Sequence, residues 1–415
     1  MKIKNSHIIF FLLGLLFLLK FNTIISSYYL LYLFIGSLFS EFNNTISNID
    51  LMLLDVFLSA ILFIVAPLLT YRYRKYKLLV KELNFISVIA IILLTIFLFA
   101  PVIANFHPDF HKNINVTKLL KPFSSKVLIE QRIQGASESV FDKFISLRNS
   151  TINQPFYSNK FFVDNVSSDN KSFQQKDTEE LLPPGSNSKR IYFVFGTDEL
   201  GRDVFSRIVY GARVSLSIGI VASLISMLLG VFFGFYSGYK GGAPDFILNK
   251  FSDLFLAFPI IFLIIFIISL WGSSFFILVL ILGITSWMPL YKLVRTDVFS
   301  IRNKDYYKSA VLLGLNKKQL LLKEILPAII PIVVVNIVYQ FANVVLAESA
   351  LSYLGLGTGS NLPSWGKMIN EGQSYLYKGW WLIFFPGMFL LLTLSFINIL
   401  GKRISESLNP LSKND

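Results

Sequence analysis

Long apolar runs without charged residues restrict most strongly how this chain can fold. A membrane-spanning helix needs about 20 mostly apolar residues, and six segments meet this requirement: residues 84–106, 213–239, 251–272, 275–295, 327–350 and 380–401. Of the 415 residues, 54% are hydrophobic and only 15% are charged, so one globule cannot hide this surface from water. The composition excludes a soluble domain and predicts an all-α polytopic membrane protein.

Two further apolar segments precede these six. Residues 51–70 predict another span, and the stretch from Ile8 to Phe39, interrupted by Lys20, is counted as one more. A cleaved signal peptide is the alternative for residues 1–20, but no A-x-A-like cleavage site follows it. The sequence therefore predicts eight spans.

Basic residues in short loops predict the orientation of these spans. Residues 71–83 hold five Lys or Arg against one acidic residue, and residues 292–324 hold eight against three. Because Lys and Arg accumulate in cytoplasmic loops, both loops and both termini are expected in the cytoplasm. Residues 107–212 are then expected outside, where fourteen basic and twelve acidic residues nearly cancel. That segment lacks sustained periodicity and is expected to be a partly irregular insert.

Signatures of catalysis and metal binding are missing from the sequence. There is no G-x-x-x-x-G-K-[ST], H-E-x-x-H or G-x-S-x-G motif, and there is no Cys. His107 and His111 have ligand-like spacing, but Pro108 between them works against a shared helical face. We therefore expect no catalytic residue, no metal site and no bound cofactor, and we assign the net charge of +13 to membrane orientation rather than to nucleic-acid binding.

Small residues recur every four positions within the span 213–239. They are Ala222, Ser226, Gly230, Gly234 and Gly238. One face of this helix is therefore nearly bare, and a second helix can approach it closely. Packing within the bundle is the favoured interpretation, and a gate or subunit interface is the alternative.

Polar residues occur within the span 327–350, where polar groups rarely face lipid. They are Asn336, Gln340, Asn343 and Glu348, and the first three share one helical face by their spacing. Hydrogen bonding between helices and the lining of a translocation pathway are both compatible with this pattern.

Residues 305–327 form the most informative stretch of the basic loop 292–324. The pattern predicts a short helix, a glycine break, a second short helix and a proline at the start of the next span. An apolar, cationic helix pair of this kind suits docking into a groove of another protein, and an amphipathic helix on anionic lipid is the alternative. The residues expected to carry the docking are Tyr307, Ala310, Gly314, Leu315, Lys317, Leu320 and Pro327.

This stretch resembles the E-A-A-x-x-x-G-x9-hydrophobic-Leu-Pro loop of bacterial ABC importer permeases, since the spacing from Gly314 to Pro327 is the same. It departs from the usual pattern at four positions, namely Lys308, Ser309, Glu324 and Ala328.

Three further stretches resemble the C subunit of dipeptide and oligopeptide permeases. The first contains Gly196, Thr197, Asp198, Gly201, Arg202, Asp203, Ser206 and Arg207. The second runs from Leu351 to Gly357 and continues at Pro363-Ser364-Trp365-Gly366, and the third contains Trp380-Trp381, Phe385-Pro386-Gly387, Asn398 and Gly401. In the first, Arg202 and Arg207 are available to Asp198 or Asp203. In the second, Trp365 is expected to be an interfacial aromatic residue.

The resemblance covers residues 84–106 and about 192–410, and it implies the bundle of a type I ABC importer permease with six core helices, about two extra N-terminal spans and an external insert. The expected divisions are an N-terminal membrane segment 1–83, a first core span 84–106, the insert 107–212, a transmembrane domain 213–402 with the coupling loop 296–326, and a cytoplasmic tail 403–415.

The resemblance also implies function and partners. It implies a non-catalytic permease subunit of an ATP-driven importer in the bacterial inner membrane, for di- or oligopeptides. The expected partners are a homologous permease, two ABC ATPase subunits that hold ATP-Mg, an external solute-binding protein, the peptide and membrane lipid, but no nucleic acid. A permease for nickel or another small solute, a polytopic membrane enzyme and a scaffold without transport are the alternatives.

Overall fold

The structure is a computed structural model, and it describes residues 21–47, 96, 100, 103–104, 106, 108–110, 114–130, 139–140, 143–144, 160–166, 172–175, 178–181, 186–316, 319–359 and 362–408. The predicted span 51–70, most of the span 84–106 and the basic loop 71–83 lie outside the described residues. Lys317 and the end of the tail 403–415 lie outside them as well.

Within the described residues, three helices precede the first strand. They are α1 (Phe21–Ser40), α2 (Phe42–Ser47) and the single turn α3 (Ile114–Thr117). Helix α1 corresponds to the second half of the predicted span from Ile8 to Phe39.

Six short strands lie among the described residues of the segment 107–212, so the insert that was expected to be partly irregular contains ordered sheet. One antiparallel sheet has the order β2-β1-β6, and the other has the order β3-β4-β5. Their bounds are β1 Ser124–Glu130, β2 Lys160–Val163, β3 Asn165–Val166, β4 Ser172–Gln175, β5 Thr178–Leu181 and β6 Asn187–Phe193.

Burial on both faces of β1 explains why the sequence pattern did not predict this sheet. Leu128 packs with Phe162 on one face, while Ile129 packs with Phe173 on the other. A strand that is covered on both faces has a short continuous apolar run rather than alternating polar and apolar residues. The period of two that identifies a half-exposed strand is therefore missing here.

Helices make up almost all of the chain after β6. They are α4 Val204–Lys240, α5 Gly242–Ala257, α6 Ile260–Trp271, α7 Phe275–Thr285, α8 Met288–Asn303, α9 Asp305–Leu312, a π-helical turn Leu320–Ile325, α10 Leu326–Tyr353, α11 Trp365–Gln373 and α12 Trp381–Leu408. Four stretches of the described chain are long and apolar enough to cross a membrane: Val204–Lys240, Phe275–Asn303, Leu320–Tyr353 and Trp381–Leu408. The predicted spans 213–239, 275–295, 327–350 and 380–401 are thereby confirmed.

The residues of the predicted span 251–272 form two helices that together are apolar enough to cross a membrane but are sharply bent between them. Helices α5 and α6 meet at an angle of 85° around Phe258 and Pro259. Phe258 is extended (φ −88°, ψ 134°), as expected for a residue before proline, because the proline ring disfavours the α conformation there. Residues 251–257 therefore belong to α5, and α6 begins at Ile260.

The chain divides into two compact units. The first contains Met1–Arg213 and Pro363–Phe389, and the second contains Val214–Leu362 and Leu390–Asp415. In the first, a core cluster joins the start of α4 to α11 and to the start of α12 through Ile208, Met368 and Trp381.

Close contact between α4 and α8 organises the second unit. A Cβ atom added at Gly230 would lie 3.0 Å from the Trp287 carbonyl oxygen, and one added at Gly234 would lie 2.8 Å from that of Tyr291. At Gly238 the distance to the Arg295 oxygen would be 2.7 Å. These three glycines of the small-residue face thus pack within the unit, as the favoured interpretation expected.

We expect Gly234→Ala to lower the thermal unfolding midpoint and the yield of folded protein, because the added methyl group overlaps a backbone oxygen that cannot move alone. Gly387→Ala is the matched control, since nothing lies within 4 Å of that added methyl in the interior of α12. Thermal unfolding of purified protein measures both variants, and equal midpoints for the two would contradict the packing.

Candidate functional site

The loop between α8 and α10 turns sharply at Gly314. This glycine has φ +82°, and its amide donates to the Val311 carbonyl at 3.0 Å. Leu315 donates to the Ala310 carbonyl at 3.3 Å, which closes the end of α9. Among the described residues, no atom beyond its chain neighbours lies within 4 Å of a Cβ added at Gly314. The glycine is therefore needed for its backbone conformation rather than for a close approach.

Asn316 and Gln319 start the next helical segment. The Asn316 amide donates to Gln319 Oε1 at 3.0 Å, and the Gln319 amide donates to Asn316 Oδ1 at 2.9 Å. This reciprocal pair is a capping box. The π-helical turn then continues directly into α10, with Pro327 in the first turn of that helix. The predicted second short helix is thus the beginning of the next membrane helix.

The predicted docking residues point in different directions. Tyr307, Ala310 and Leu320 are buried in a cluster that also contains Val298 and Ile325. Their packing fixes the loop to the helix bundle.

Sequence reasoning missed the exposed apolar residues of this loop. Leu312 is 88% exposed and Leu313 is 81% exposed, and Val311 is also exposed. Their signal in the sequence was an apolar run directly before a helix-ending glycine.

A surface groove borders the same loop. It encloses about 400 Å³ and lies between the end of α8 and α9. Its lining combines apolar and cationic side chains: Phe299, Arg302, Asn303, Tyr307, Lys308, Val311 and Leu312. This end of the bundle therefore presents an apolar, basic surface.

The polar residues of α10 have different environments. Asn336 is half-buried and donates to the Ile332 carbonyl of its own helix at 2.9 Å. Gln340 is half-buried and Asn343 is exposed. Glu348 is fully buried and accepts hydrogen bonds from Ser352 Oγ at 2.7 Å and from Ser349 Oγ at 3.4 Å. Of the three residues on the shared face, only Gln340 and Asn343 have side chains that make no hydrogen bond to α10 in the described contacts.

The segment before α4 is fixed by two glycines and one threonine. Gly196 (φ +76°) and Gly201 (φ +78°) both adopt left-handed conformations. The Thr197 hydroxyl donates to the Thr117 carbonyl and accepts from the Leu120 amide. The motif is thus bonded to the chain just before β1.

Asp198 is the centre of a buried ionic cluster. Its Oδ2 accepts from Arg202 Nε at 2.6 Å and from Arg207 Nη1 at 2.8 Å. The Arg207 Nη1 also donates to Glu371 Oε2 on α11 at 2.6 Å, and Arg202 Nη2 reaches the same oxygen at 3.1 Å. Of the two aspartates that the sequence pattern allowed as partners, Asp198 is therefore the one that both arginines bind. Glu371 also belongs to the cluster, and the sequence pattern did not predict it.

Electrostatics in this cluster favour the charged form of Glu371. Burial alone would raise the pKa of its carboxyl, but the charges of Arg207 and Arg202 and the hydrogen bond from Arg207 hold it below its ordinary value. The cavity beside the cluster encloses about 10 Å³, which is room for one water molecule. The cluster therefore braces the start of α4 against α11 and offers no room for a ligand.

Asp203 and the tryptophans complete this arrangement. Asp203 Oδ2 accepts from the Ser206 hydroxyl at 2.7 Å and from its amide at 3.2 Å, which caps the start of α4. Trp365 is fully buried and donates to the Ile208 carbonyl at 3.1 Å, so the expectation of an interfacial Trp365 is wrong. Trp381 is also buried and donates to the Thr197 carbonyl at 3.0 Å.

Among the described residues, no three His, Cys, Asp or Glu side chains form a group that could hold a metal ion.

Comparison with known proteins gives consistent results. The family described as "Binding-protein-dependent transport system inner membrane component" matches residues 230–412. The oligopeptide transport system permease protein OppC of Haemophilus influenzae is 34% identical over 238 residues, which cover 57% of this chain and 76% of the relative. The dipeptide transport system permease protein DppC of Bacillus subtilis is 36% identical over 238 residues, covering 57% of this chain and 73% of the relative.

A similar solved structure is that of the MetNI methionine ABC transporter in inward-facing conformations. It has a TM-score of 0.41 and 17% identity, and the match covers 49% of this chain and 96% of the solved chain.

We expect Glu371→Gln to lower the unfolding midpoint at pH 7, because neutralising one partner of a buried cluster leaves the arginines undercompensated, a loss of about 1–3 kcal/mol. Glu371 has a lowered pKa in the folded protein. Its stabilising effect is therefore fully present above the unfolded-state pKa of about 4.3 and is lost as the pH falls through the lower folded-state value.

The difference between wild type and Glu371→Gln should accordingly shrink below about pH 4. Glu406→Gln is the matched control, since the exposed pair of Glu406 and Lys402 is separated by 3.9 Å and should contribute little. Thermal unfolding across this pH range is the measurement, and a difference independent of pH would contradict the assignment.

Proposed function

Because this chain belongs to the family of binding-protein-dependent transport system inner membrane components, we propose that it is the permease subunit of an ATP-driven importer of di- or oligopeptides. Relatives at 33–36% identity are oligopeptide and dipeptide permeases. The sequence motifs around Gly196 and Gly314 independently support this assignment.

The observation that carries the proposal is the exposed apolar patch beside Gly314. Val311, Leu312 and Leu313 project from a loop that is held at both ends by membrane helices. Apolar side chains of this size are costly to leave in water, about 25 cal/mol per Å². The patch is suited to an ABC ATPase subunit, with the exposed Lys308 beside it meeting an acidic side chain of that partner.

The remaining partners follow from the same assignment. A homologous permease completes the translocation pathway, two ATPase subunits bind ATP-Mg and hydrolyse it, and an external solute-binding protein delivers the peptide. This chain contributes no catalytic residue and binds no cofactor. It lies in the bacterial inner membrane with both termini in the cytoplasm, an orientation supported by the basic residues of the loop 292–324.

Coupling is a rigid-body movement of α9. Its buried side chains Tyr307 and Ala310 pack in one cluster with residues of α8 and α10. Closure of the ATPases therefore moves α9 together with these helices, and this movement switches the pathway between inward-open and outward-open states.

The polar face of α10 supplies part of the pathway. Gln340 is half-buried and Asn343 is exposed, and a polar side chain is far less costly against a water-filled pathway than against lipid. Asn336 belongs to this face by its spacing, although its amide bonds to its own helix. Glu348 is buried on another side of α10, and we do not include it in the pathway.

Three alternatives are less well supported. A permease for nickel or another small solute is not favoured, because the relatives compared above are named as peptide permeases. A membrane enzyme would need convergent ionisable groups in its spans. A scaffold would need the docking loop alone, and loss of peptide uptake in a deletion strain would exclude it.

We expect single cysteines in this Cys-free chain to report its orientation. A membrane-impermeant thiol reagent added to intact spheroplasts should label Ser188→Cys, whereas Asn316→Cys should be labelled only after permeabilisation. Both positions are exposed, so accessibility within the protein is not limiting. Labelling of position 316 but not 188 from outside would overturn the orientation.

The same thiol reagent tests the pathway assignment through Asn343→Cys. We expect the rate at which this cysteine reacts to differ between importers with nucleotide-free ATPases and importers with ATPases locked closed. Equal rates in the two states would contradict the place of Asn343 in the pathway.

We expect Gly314→Trp to abolish co-purification of the ATPases and peptide uptake, because a bulky side chain would disturb the loop that carries the docking patch. Gly272→Trp is the matched control. Its φ of +80° imposes the same left-handed strain, about 1–2 kcal/mol, in equally open space but outside the loop. Normal ATPase binding by Gly314→Trp would defeat the docking assignment.

A further inference from the structure

The C-terminal end of α4 leaves backbone carbonyl groups that need partners. The helix ends at Lys240 and is followed by Gly241 and Gly242, whose φ angles are +63° and +62°. The last carbonyls of a helix have no donor within the helix, and they carry the negative end of its dipole. A cation at this point therefore finds both hydrogen-bond acceptors and a favourable field.

Arg302 of α8 supplies that cation. Its Nη1 donates to the Tyr239 carbonyl at 2.6 Å and approaches the Gly238 carbonyl at 3.4 Å. The guanidinium also lies 5.4 Å from the centre of the Tyr239 ring, within the range of a cation–π contact. One side chain therefore holds the end of α4 through two kinds of interaction.

Tyr307 of the docking loop packs at the same end of α4. It is 7% exposed and packs in one cluster with Tyr239 and Leu320. Burial raises the pKa of its hydroxyl, and the remaining influences on that pKa come from Tyr239 and Arg302. The end of α4, the end of α8 and the first turn of α9 thus converge on one guanidinium.

We propose that Arg302 is a positioning residue for coupling, which transmits movement of the docking loop to the end of α4. This inference rests on the proposed function as an ATP-driven permease. Arg302 lies three residues before α9, so movement of the loop carries its guanidinium, which is bonded to the last carbonyls of α4. A lysine at this position would keep the charge but would lose the planar stacking and part of the hydrogen bonding.

Two cations serve as comparisons. Lys240 lies at the same end of α4, is exposed, and contacts only the Tyr236 side chain of its own helix in the described contacts. Arg295 lies on α8 like Arg302, but it pairs with Asp245 of α5, with Nη2 and Oδ2 2.6 Å apart. Loss of Arg295 therefore removes a guanidinium of the same helix, and the contact it makes with a neighbouring helix, at a place outside the docking loop.

The test uses the complete importer in proteoliposomes with Arg302→Gln, Arg302→Lys, Lys240→Gln and Arg295→Gln. Arg302→Gln should retain the ATPases and hydrolyse ATP, while peptide uptake per ATP falls by about tenfold, the size of a typical coupling effect. Arg302→Lys should be intermediate, and the two comparison variants should keep the wild-type ratio.

The inference is overturned if Arg302→Gln keeps the wild-type ratio of peptide uptake to ATP hydrolysis. It is also overturned if that variant no longer binds the ATPases. If Arg302→Gln does not accumulate, the ratio in Arg302→Lys decides in the same way. A wild-type protein that binds no ATPase or transports no peptide would instead contradict the proposed function, so the two failures are distinguishable.

Discussion

The close contact between α4 and α8 is the constraint on which the second unit depends. Gly230, Gly234 and Gly238 leave no room for a methyl group, because carbonyl oxygens of α8 lie against them. Contact at this distance gains dispersion energy along the stretch where the two helices meet. It also brings Arg302 within reach of the α4 carbonyls, since Gly238 permits the approach on the preceding turn. The contact thus determines both packing and the position of the docking loop.

Charged groups in this apolar chain are placed where helices begin and end. Asp198, Arg202, Arg207 and Glu371 form a compensated cluster that joins the start of α4 to α11 within the first unit. Asp245 and Arg295 join α5 to α8 in the second. Each pairing avoids the large free-energy cost of an isolated charge away from water. Polar interactions therefore fix the helix ends, and apolar packing fixes the helix interiors.

The docking loop contains both buried residues that anchor it and exposed residues, and the sequence alone did not distinguish the two groups. Motif resemblance selected Tyr307, Ala310 and Leu320, and these side chains pack inward. The exposed residues Leu312 and Leu313 were not selected, because a motif ranks positions by identity and gives no information on the direction of a side chain. The motif therefore contains residues that hold the loop in place, and only their packing distinguishes them from the exposed residues of the same loop.

The sequence by itself determined the class of protein, four of the spans within the described residues, the glycine break at Gly314 and the family. These properties depend on local composition and on the spacing of residues, and both can be read directly from the amino-acid sequence. Tertiary structure alone decided the described strands of the segment 107–212, the burial of Trp365 and the choice of Asp198 as partner of both arginines. Each of these depends on contacts between residues far apart in the chain, or on which of several chemically acceptable partners lies close enough. The sequence supplies the candidates, and the three-dimensional distances select among them.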